Sequence, residues 1–176
     1  MNVWHDIDRK RISEKKFVAV IEISKGTQCK YELDKETGFL KLDRVLYTSM
    51  HYPANYGFIP LTYAEDNDPL DVLVLCSQKI LPLTLVECYP IGVIDIKDND
   101  ETDKKIIAIP SQDPSLNQYK DISELPIHTF EEIRHFFEVY KNLELKKVVV
   151  ERILGKKNAE KIIEKSIKIY KEKFCK

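Results

Sequence analysis

The feature that most constrains the fold is a change in apolar periodicity about two-thirds of the way along the chain. Before that point, short apolar and β-branched runs alternate with turn residues, as in residues 17–23, 71–76, 85–96 and 105–109. Many short strands without intervening helical patterns are typical of a closed or nearly closed antiparallel barrel. Beyond it, apolar residues recur at helical spacing. The sequence therefore predicts an α+β fold, a barrel followed by helices.

Two segments of the first part are richer in turn residues. Residues 30–33 and 39–42 flank a Gly-containing loop at residues 34–38, which predicts a β-hairpin. Residues 51–60 contain Pro, Gly and two tyrosines four positions apart, and we predict a structured loop there.

The last third predicts two helices. Thr129 and Glu132 have the spacing of a capping box, so the first helix is expected to start there and to end near Asn142. A short strand is expected at residues 146–151, and a second helix from about Asn158. The apolar positions predicted to face the core are Ile133, Phe136, Phe137 and Tyr140 in the first helix, and Ile162, Ile163, Ile167, Tyr170 and Phe174 in the second.

Composition excludes several classes of protein. The 176 residues suit a single domain, 1–176, and the net charge of -1 lacks the basic excess of a nucleic-acid binder. No apolar run approaches the roughly 18 residues of a membrane span, and the first eight residues are polar, so we expect a cytoplasmic protein. The four cysteines and four histidines are scattered, which argues against a structural zinc site.

The densest acidic cluster lies in residues 65–72. Asp66, Asp68 and Asp71 stand within six residues, directly before an apolar run, and Pro69 restricts the backbone between them. The same composition also suits a solvated turn. Carboxylates this close repel one another, however, and a bound Mg²⁺ would neutralise them. A calcium loop is excluded, because Ser77 stands where its twelfth position requires Glu.

A second acidic run, residues 97–105, includes Asp98 and Asp103 and joins two predicted strands. Alone it is typical of an exposed hairpin tip. If the barrel brings this tip beside Asp66 and Asp71, the two runs together form a site for several metal ions, which suits phosphoryl displacement.

Cationic and hydroxyl groups accompany the acids. Lys30 and Glu32 point to the same face of a predicted strand, either into the barrel or to solvent. Arginine, lysine and tyrosine side chains can all donate to phosphate oxygens. The candidates are Lys30, Arg44, Tyr52, Tyr56, Tyr140 and Lys141.

The order and spacing of these motifs resemble the soluble, Mg²⁺-dependent inorganic pyrophosphatases of family I. The resemblance runs from about Phe17 to Ala159, and its most specific part is residues 66–72, which match the family's D-x-D-P-x-D-V signature. Residues 30–32, 43–44, 52–57, 91–93 and 135–141 match in the same order.

The resemblance implies a five-stranded, OB-like barrel with two C-terminal helices, and hydrolysis of pyrophosphate by a metal-activated water without a covalent intermediate. Several Mg²⁺ ions are expected per site. It implies that Asp68 accepts the proton of the attacking water. The implied metal ligands are Asp66, Asp71, Asp98 and Asp103; the implied phosphoryl ligands are Lys30, Arg44, Tyr56, Tyr140 and Lys141; and the implied supporting residues are Glu22, Glu32, Tyr52 and Lys105.

Two departures from the family pattern are visible. The family places a second acid after the position of Asp98, where this chain has Asn99. The resemblance also implies a homohexamer, and His135 fits that pattern, whereas Val139 and Asn142 differ from it, so a subunit contact less responsive to pH is expected.

Two other functions remain open from the residues alone. An OB-like barrel could bind oligonucleotides, although such a site needs exposed aromatics in a basic groove. The acidic cluster also suits a metal-dependent hydrolase of nucleotide phosphates. The density of cationic groups for two phosphates favours pyrophosphate.

Overall fold

The computed structural model describes residues 2–175. Within them the strands are β1 (Phe17–Ile23), β2 (Cys29–Leu33), β3 (Leu40–Val45), β4 (Asn55–Ile59), β5 (Leu70–Val74), β6 (Leu85–Asp98), β7 (Glu101–Pro110) and β8 (Val148–Gly155). The α-helices are α1 (Ile127–Val139) and α2 (Lys156–Phe174), and short 3₁₀ turns occur at Arg9–Arg11, Ile122–Glu124 and Asn142–Glu144.

Five strands close into a ring in the order β1-β4-β5-β7-β6, and β6 pairs back with β1. β8 extends the sheet beside β6, and β2 and β3 form a separate hairpin. The predicted five-stranded barrel with two C-terminal helices is confirmed. Its pairing is not wholly antiparallel, because β5 and β7 run parallel.

β1 is buried along its whole length: it pairs with β4 on one side and with β6 on the other, and most of its residues pack into three apolar clusters. Phe17, Ala19 and Ile21 form one buried cluster with Ala159 and Ile163 of α2. A fully buried aliphatic or aromatic side chain contributes roughly 1.5–3 kcal/mol. The apolar face of α2 therefore packs against residues from all five strands of the ring, which fixes the helix against the barrel.

The segment predicted as a loop, residues 51–60, contains β4, so that prediction was wrong. Gly57 pairs with Ile21 of β1, and a Cβ at Gly57 would lie 1.8 Å from the carbonyl oxygen of Val20. Glycine here permits the close approach of two strands instead of a turn. The pairing is irregular between Ile21 and Ile23, as expected at a β-bulge.

The helix starts also differ from the prediction. α1 begins at Ile127 after Pro126, so Thr129 is its third residue and the predicted capping box is wrong. A proline has no side-chain acceptor but its fixed φ suits a helix start. α1 ends at Val139, and a 3₁₀ turn at Asn142–Glu144 follows.

α2 begins at Lys156, before the predicted start at Asn158, because its cap is distant in sequence. The Asp121 carboxylate accepts hydrogen bonds from the backbone N–H of Lys156 at 3.0 Å and of Ser123 at 3.0 Å. Asp121 also forms a capping box with Glu124 in the 3₁₀ turn. One carboxylate thus caps two elements.

Among residues 2–175, none of the helices combines the length and the apolar character needed to cross a lipid bilayer.

Candidate active site

A cavity of about 210 Å³ opens where the β2–β3 hairpin, the β4–β5 loop, the β6–β7 tip and the end of α1 meet. It brings together the predicted site residues with the exception of Arg44. The predicted residues that line it are Glu22, Lys30, Glu32, Tyr52, Tyr56, Asp66, Asp68, Asp71, Asp98, Asp103, Lys105, Tyr140 and Lys141. Residues from both acidic runs therefore meet in one place.

Lys105 lies at the centre of the acidic groups. The parallel pairing of β5 and β7 places Asp71 opposite Lys105, whose Nζ lies 2.8 Å from Asp71 Oδ2 and 2.9 Å from Asp103 Oδ2. Nζ also donates to the Tyr56 hydroxyl at 2.7 Å, and that hydroxyl donates to Asp71 Oδ2 at 2.5 Å. Burial alone lowers the pKa of Lys105, but the Asp103 and Asp71 carboxylates outweigh burial and hold this pKa well above its usual value.

Asp66 and Asp68 stand on a tight turn before β5. The N–H of Asp68 donates to Asp66 Oδ1 at 3.1 Å, and the N–H of Ala64 donates to the carbonyl of Asp68 at 2.8 Å. Burial, and then repulsion by Asp71 and Asp103, raise the pKa of Asp66 to about 6. The fold thus holds carboxylates together although they repel one another.

Three other lysines pair with acids around the rim. Lys30 pairs with Glu32, Lys35 pairs with Asp68, and Lys141 pairs with Asp98. These lysines come from the β2–β3 hairpin and from the residue that follows the C-cap of α1. They place donors at the mouth of the cavity that could bind an anionic substrate.

Lys30 and Glu32 do point to the same face of β2. That face meets neither the barrel interior nor open solvent, the two environments predicted for it. β2 lies outside the barrel ring, and both side chains line the cavity between the hairpin and the barrel. Glu22 ties the hairpin to β1, because its carboxylate accepts the N–H of Leu33 at 2.7 Å. Burial raises the pKa of Glu22 to about 7, and the hydrogen bond from Leu33 opposes that shift.

Arg44 lies behind the cavity wall. Its Nε is 3.2 Å from Glu144 Oε1, and its Nη1 is 3.3 Å from Asp43 Oδ2. Arg44 is also paired across the hairpin with Lys30. Its contact with substrate therefore remains a prediction.

Among the cavity-lining residues that sequence reasoning missed, Trp4 and Lys35 stand out. Trp4 contributes its ring, and Lys35 stands 5.2 Å over that ring while it contacts Asp68. Lys35 lies in the loop interpreted only as a hairpin turn, and its position after Lys30 and Glu32 was the available signal. Trp4 gave no signal, because its neighbours in the site are distant in sequence.

Asn99 lies at the exposed tip between β6 and β7, with a left-handed φ of 49°. Asp100 beside it also has a positive φ, 68°. Asp100 and Glu101, which could have compensated for the missing acid, are exposed and outside the cavity lining.

The donor set fits a hard divalent cation. Within residues 2–175, no three carboxylate, imidazole or thiolate groups stand close enough together to hold an ion. The Lys105 amine contacts both Asp71 and Asp103. The lysines nevertheless do not pair with every carboxylate oxygen of the cavity. Asp98 Oδ1 is buried and has no hydrogen-bond partner among the described atoms. Clustered carboxylate oxygens are the ligands Mg²⁺ prefers.

Comparison with known proteins agrees with this geometry. The sequence model of the inorganic pyrophosphatase family matches residues 19–171. Soluble inorganic pyrophosphatase 2 of Chlamydomonas reinhardtii is 45% identical over 97% of this chain and 89% of its own. Soluble inorganic pyrophosphatase PPA1 of Solanum tuberosum is 48% identical over 96% of this chain and 80% of its own.

Solved structures give the same result. The inorganic pyrophosphatase of Helicobacter pylori superposes with a TM-score of 0.90 at 43% identity, covering 94% of this chain and 99% of that one. The Thermus thermophilus inorganic pyrophosphatase gives a TM-score of 0.91 at 38% identity, with 97% and 99% covered. The fold and the acidic, lysine-rimmed cavity define a phosphoryl-transfer hydrolase site. The chain belongs to the inorganic pyrophosphatase family.

Proposed function

We infer that this protein hydrolyses inorganic pyrophosphate to two orthophosphates. The observation that carries the inference is the convergence of Asp66, Asp71, Asp98 and Asp103, from two separate segments, on a cavity rimmed by lysines. Family membership supports the same reaction. The carboxylates repel a nucleic-acid strand, so the oligonucleotide-binding alternative is not favoured.

We propose that Asp68 accepts the proton of the attacking water. Its side chain is 53% exposed at the cavity mouth, where water reaches it directly. Lys30, Arg44, Tyr56, Tyr140 and Lys141 bind the phosphoryl oxygens; of these, Arg44 alone is not part of the cavity lining. The reaction needs no nucleophilic serine or cysteine, so no covalent intermediate forms.

Mg²⁺ is the proposed cofactor, with several ions per site. Asp66, Asp71 and Asp103 would hold the first ion, Asp71 would also serve a second, and Asp98 with Asp103 would hold another. When bound, such ions polarise phosphoryl oxygens and lower the pKa of bound water. Lys105 balances the charge of these acids, while Glu22, Glu32 and Tyr52 support them.

The test is orthophosphate release from pyrophosphate, with Mg²⁺ and with excess chelator, for the parent, Asp68→Asn and Asp100→Asn. Asp100 is the matched control, because it is an exposed aspartate outside the cavity. We expect orthophosphate release only with Mg²⁺. We expect kcat to fall by at least about 100-fold in Asp68→Asn and to stay unchanged in Asp100→Asn. Full activity of Asp68→Asn would remove its assigned role. No release from the folded parent with any divalent metal would overturn the function.

A substrate panel separates pyrophosphate from nucleotide phosphates. Lys30, Lys35 and Lys141 line the cavity together, a density of cationic groups that suits two adjacent phosphoryl groups. We expect nucleoside triphosphates to be poor substrates in the presence of Mg²⁺. Hydrolysis of a triphosphate at a rate equal to that of pyrophosphate would favour the alternative hydrolase.

We further propose that residues 1–176 form one cytoplasmic domain that assembles as a homohexamer. His135 is exposed on α1, as an interface residue of the isolated chain must be. Analytical ultracentrifugation tests the assembly, and a monomer at micromolar concentration would contradict it.

A further inference from the structure

Tyr63 connects the acidic turn to the aromatic cluster formed by the two ends of the described chain. Its ring is 8% exposed, and its hydroxyl donates to Asn67 Oδ1 at 2.8 Å. Asn67 stands between Asp66 and Asp68 and has a φ of 67°, in the left-handed region that residues with a Cβ seldom adopt. A specific contact therefore holds the residue of this turn that has a left-handed backbone conformation.

The direction of this hydrogen bond is fixed by Lys173, in the last turn of α2. The Lys173 amine contacts the Tyr63 oxygen and lies 4.0 Å above the Tyr63 ring. An ammonium group can only donate, so it occupies the acceptor side of the hydroxyl and leaves the Tyr63 proton for Asn67. The contacts form one ordered chain from α2 to the acidic turn.

The Tyr63 ring itself is held in place. Trp4 stacks parallel to it with ring centroids 6.2 Å apart, and Phe174 meets it edge-on at 5.6 Å. Two rings from opposite ends of the described chain thus fix its plane, so the hydroxyl has little freedom to leave Asn67.

We propose that Tyr63 is a positioning residue for the reaction: by fixing Asn67, it sets the direction of the Asp68 carboxylate. Asp68 is tied to the turn by its N–H bond to Asp66 and its carbonyl bond to Ala64, so the conformation of Asn67 is transmitted to it. The proposal rests on the role of Asp68 stated above. Tyr63 does not line the cavity, so we expect its effect to fall on turnover and not on substrate affinity.

The kinetic test compares Tyr63→Phe with Tyr170→Phe. Both variants remove one hydroxyl from the same aromatic cluster, but the Tyr170 hydroxyl contacts His5 at 2.6 Å and not the acidic turn. We expect kcat to fall roughly five-fold in Tyr63→Phe with KM unchanged, and neither to change in Tyr170→Phe. An unchanged kcat in Tyr63→Phe overturns the proposal.

A double-variant cycle assigns the effect to the contact. Glycine at position 67 adopts the left-handed region freely and offers no side-chain acceptor. In an Asn67→Gly background, Tyr63→Phe should therefore lower kcat by less than two-fold. A full five-fold loss in that background would mean that Tyr63 acts by another route, and would overturn the proposal.

Amide hydrogen exchange provides a readout that does not need activity. The N–H groups of Ala64 and Asn67 close the turn through bonds to Asp68 and Ala64. In the metal-free protein their exchange should be several-fold faster in Tyr63→Phe and unchanged in Tyr170→Phe. Unchanged exchange in Tyr63→Phe overturns the proposal whatever the activity. A parent without activity but with this exchange difference would remove the proposed function and leave the positioning of the turn established.

Discussion

Lys105 differs from the other lysines of the cavity in being almost fully buried. Its side chain is 5% exposed, against 38% for Lys35 at the rim. Two carboxylates and one hydroxyl satisfy its amine. Removing one member of a buried ion pair leaves the opposite charge without compensation, which is more costly than losing a surface pair.

We therefore predict that Lys105→Met lowers the free energy of unfolding of the metal-free protein by about 3 kcal/mol. Adding Mg²⁺ should recover part of that loss, because a cation again neutralises Asp71 and Asp103. Urea unfolding with chelator measures the loss of stability, and urea unfolding with Mg²⁺ measures the recovery. The control is Lys97→Met, since Lys97 and Glu151 are 45% and 36% exposed and their loss should have a small effect. Equal stability of the two variants would contradict the prediction.

Glu22 gives the metal-free protein a predictable pH dependence. Its pKa is raised from 4.5 to about 7 in the folded state, so the folded protein keeps a proton that the unfolded chain releases. The contribution of this group to stability is therefore complete below about pH 4.5 and is lost as the pH rises to about 7.

Over that pH interval we expect Glu22 to remove about 3 kcal/mol from the free energy of unfolding. Glu22→Gln keeps an acceptor for the Leu33 N–H and should lack this component. Urea unfolding with chelator at a series of pH values tests it, through the difference between parent and variant. Parallel pH profiles would show that Glu22 does not titrate as described.

The three cavity aspartates of residues 65–72 were predictable as members of one site because they lie in one contiguous motif before a strand. Asp98 and Asp103 were predictable only through the family resemblance, since nothing in their local sequence distinguishes them from a hairpin tip. Lys35 and Trp4 were missed, because a turn lysine and an N-terminal tryptophan become site residues only through contacts across the fold.

At the scale of elements, Gly57 decides where β4 can lie. Sequence reasoning took the glycine and the neighbouring prolines as signs of a loop, which is their commoner meaning. In the structure the glycine is a packing requirement, because β1 pairs so closely with β4 that any side chain at position 57 would meet the Val20 carbonyl. Such a contact between distant strands leaves no local signal.

We predict that Gly57→Ala destabilises the protein by more than about 3 kcal/mol, because β1 and β4 must separate. Gly26→Ala is the control. Gly26 has a φ of 83° but open space around it, with Lys79 Cε as the nearest atom at 3.9 Å, so its loss should cost about 1 kcal/mol. Thermal unfolding of both variants measures the difference, and a smaller effect at Gly57 would contradict the close packing.

For the helices, too, local sequence predicted only part of the structure. Their apolar periodicity was sufficient to predict that both exist and most of the buried positions: Ile133, Phe136 and Phe137 are buried in α1, and Ile163 and Tyr170 in α2. Phe174, predicted to face the core, is 42% exposed, so that prediction was wrong. Their first residues were not predictable, because the cap of α2 is Asp121, outside the helix and its flanking residues.

At the scale of the whole molecule, the ring closure was predicted from the number of strands, but the parallel pair was not. β6 pairs with β1 along one edge and with β7 along the other, so β7 completes the ring by pairing with β5. This arrangement places Asp71 beside Lys105 and Asp103. The site is thus a product of topology, and local sequence patterns do not encode topology.

Binding of divalent metal should stabilise the whole fold, because the unfolded chain does not assemble these carboxylates. At a Mg²⁺ concentration 100 times the dissociation constant, the stabilisation is about 2.7 kcal/mol, which for a chain of this size raises Tm by roughly 5 to 10 °C. We predict that rise for the parent and for Asp100→Asn, and a much smaller one for Asp71→Asn. Differential scanning calorimetry measures it, and an equal rise in Asp71→Asn would exclude Asp71 as a ligand.

The stacking of Trp4 with Tyr63 and Phe174 has a consequence for biosynthesis. Trp4 is translated early and Phe174 late, yet their rings meet at 5.5 Å, on the same cluster that holds the acidic turn. A nascent chain can close the barrel once β7 has emerged from the ribosome, but Tyr63 gains its second ring and Lys173 only after α2 has been made. The order of translation therefore makes the acidic turn one of the last parts of the protein to become rigid.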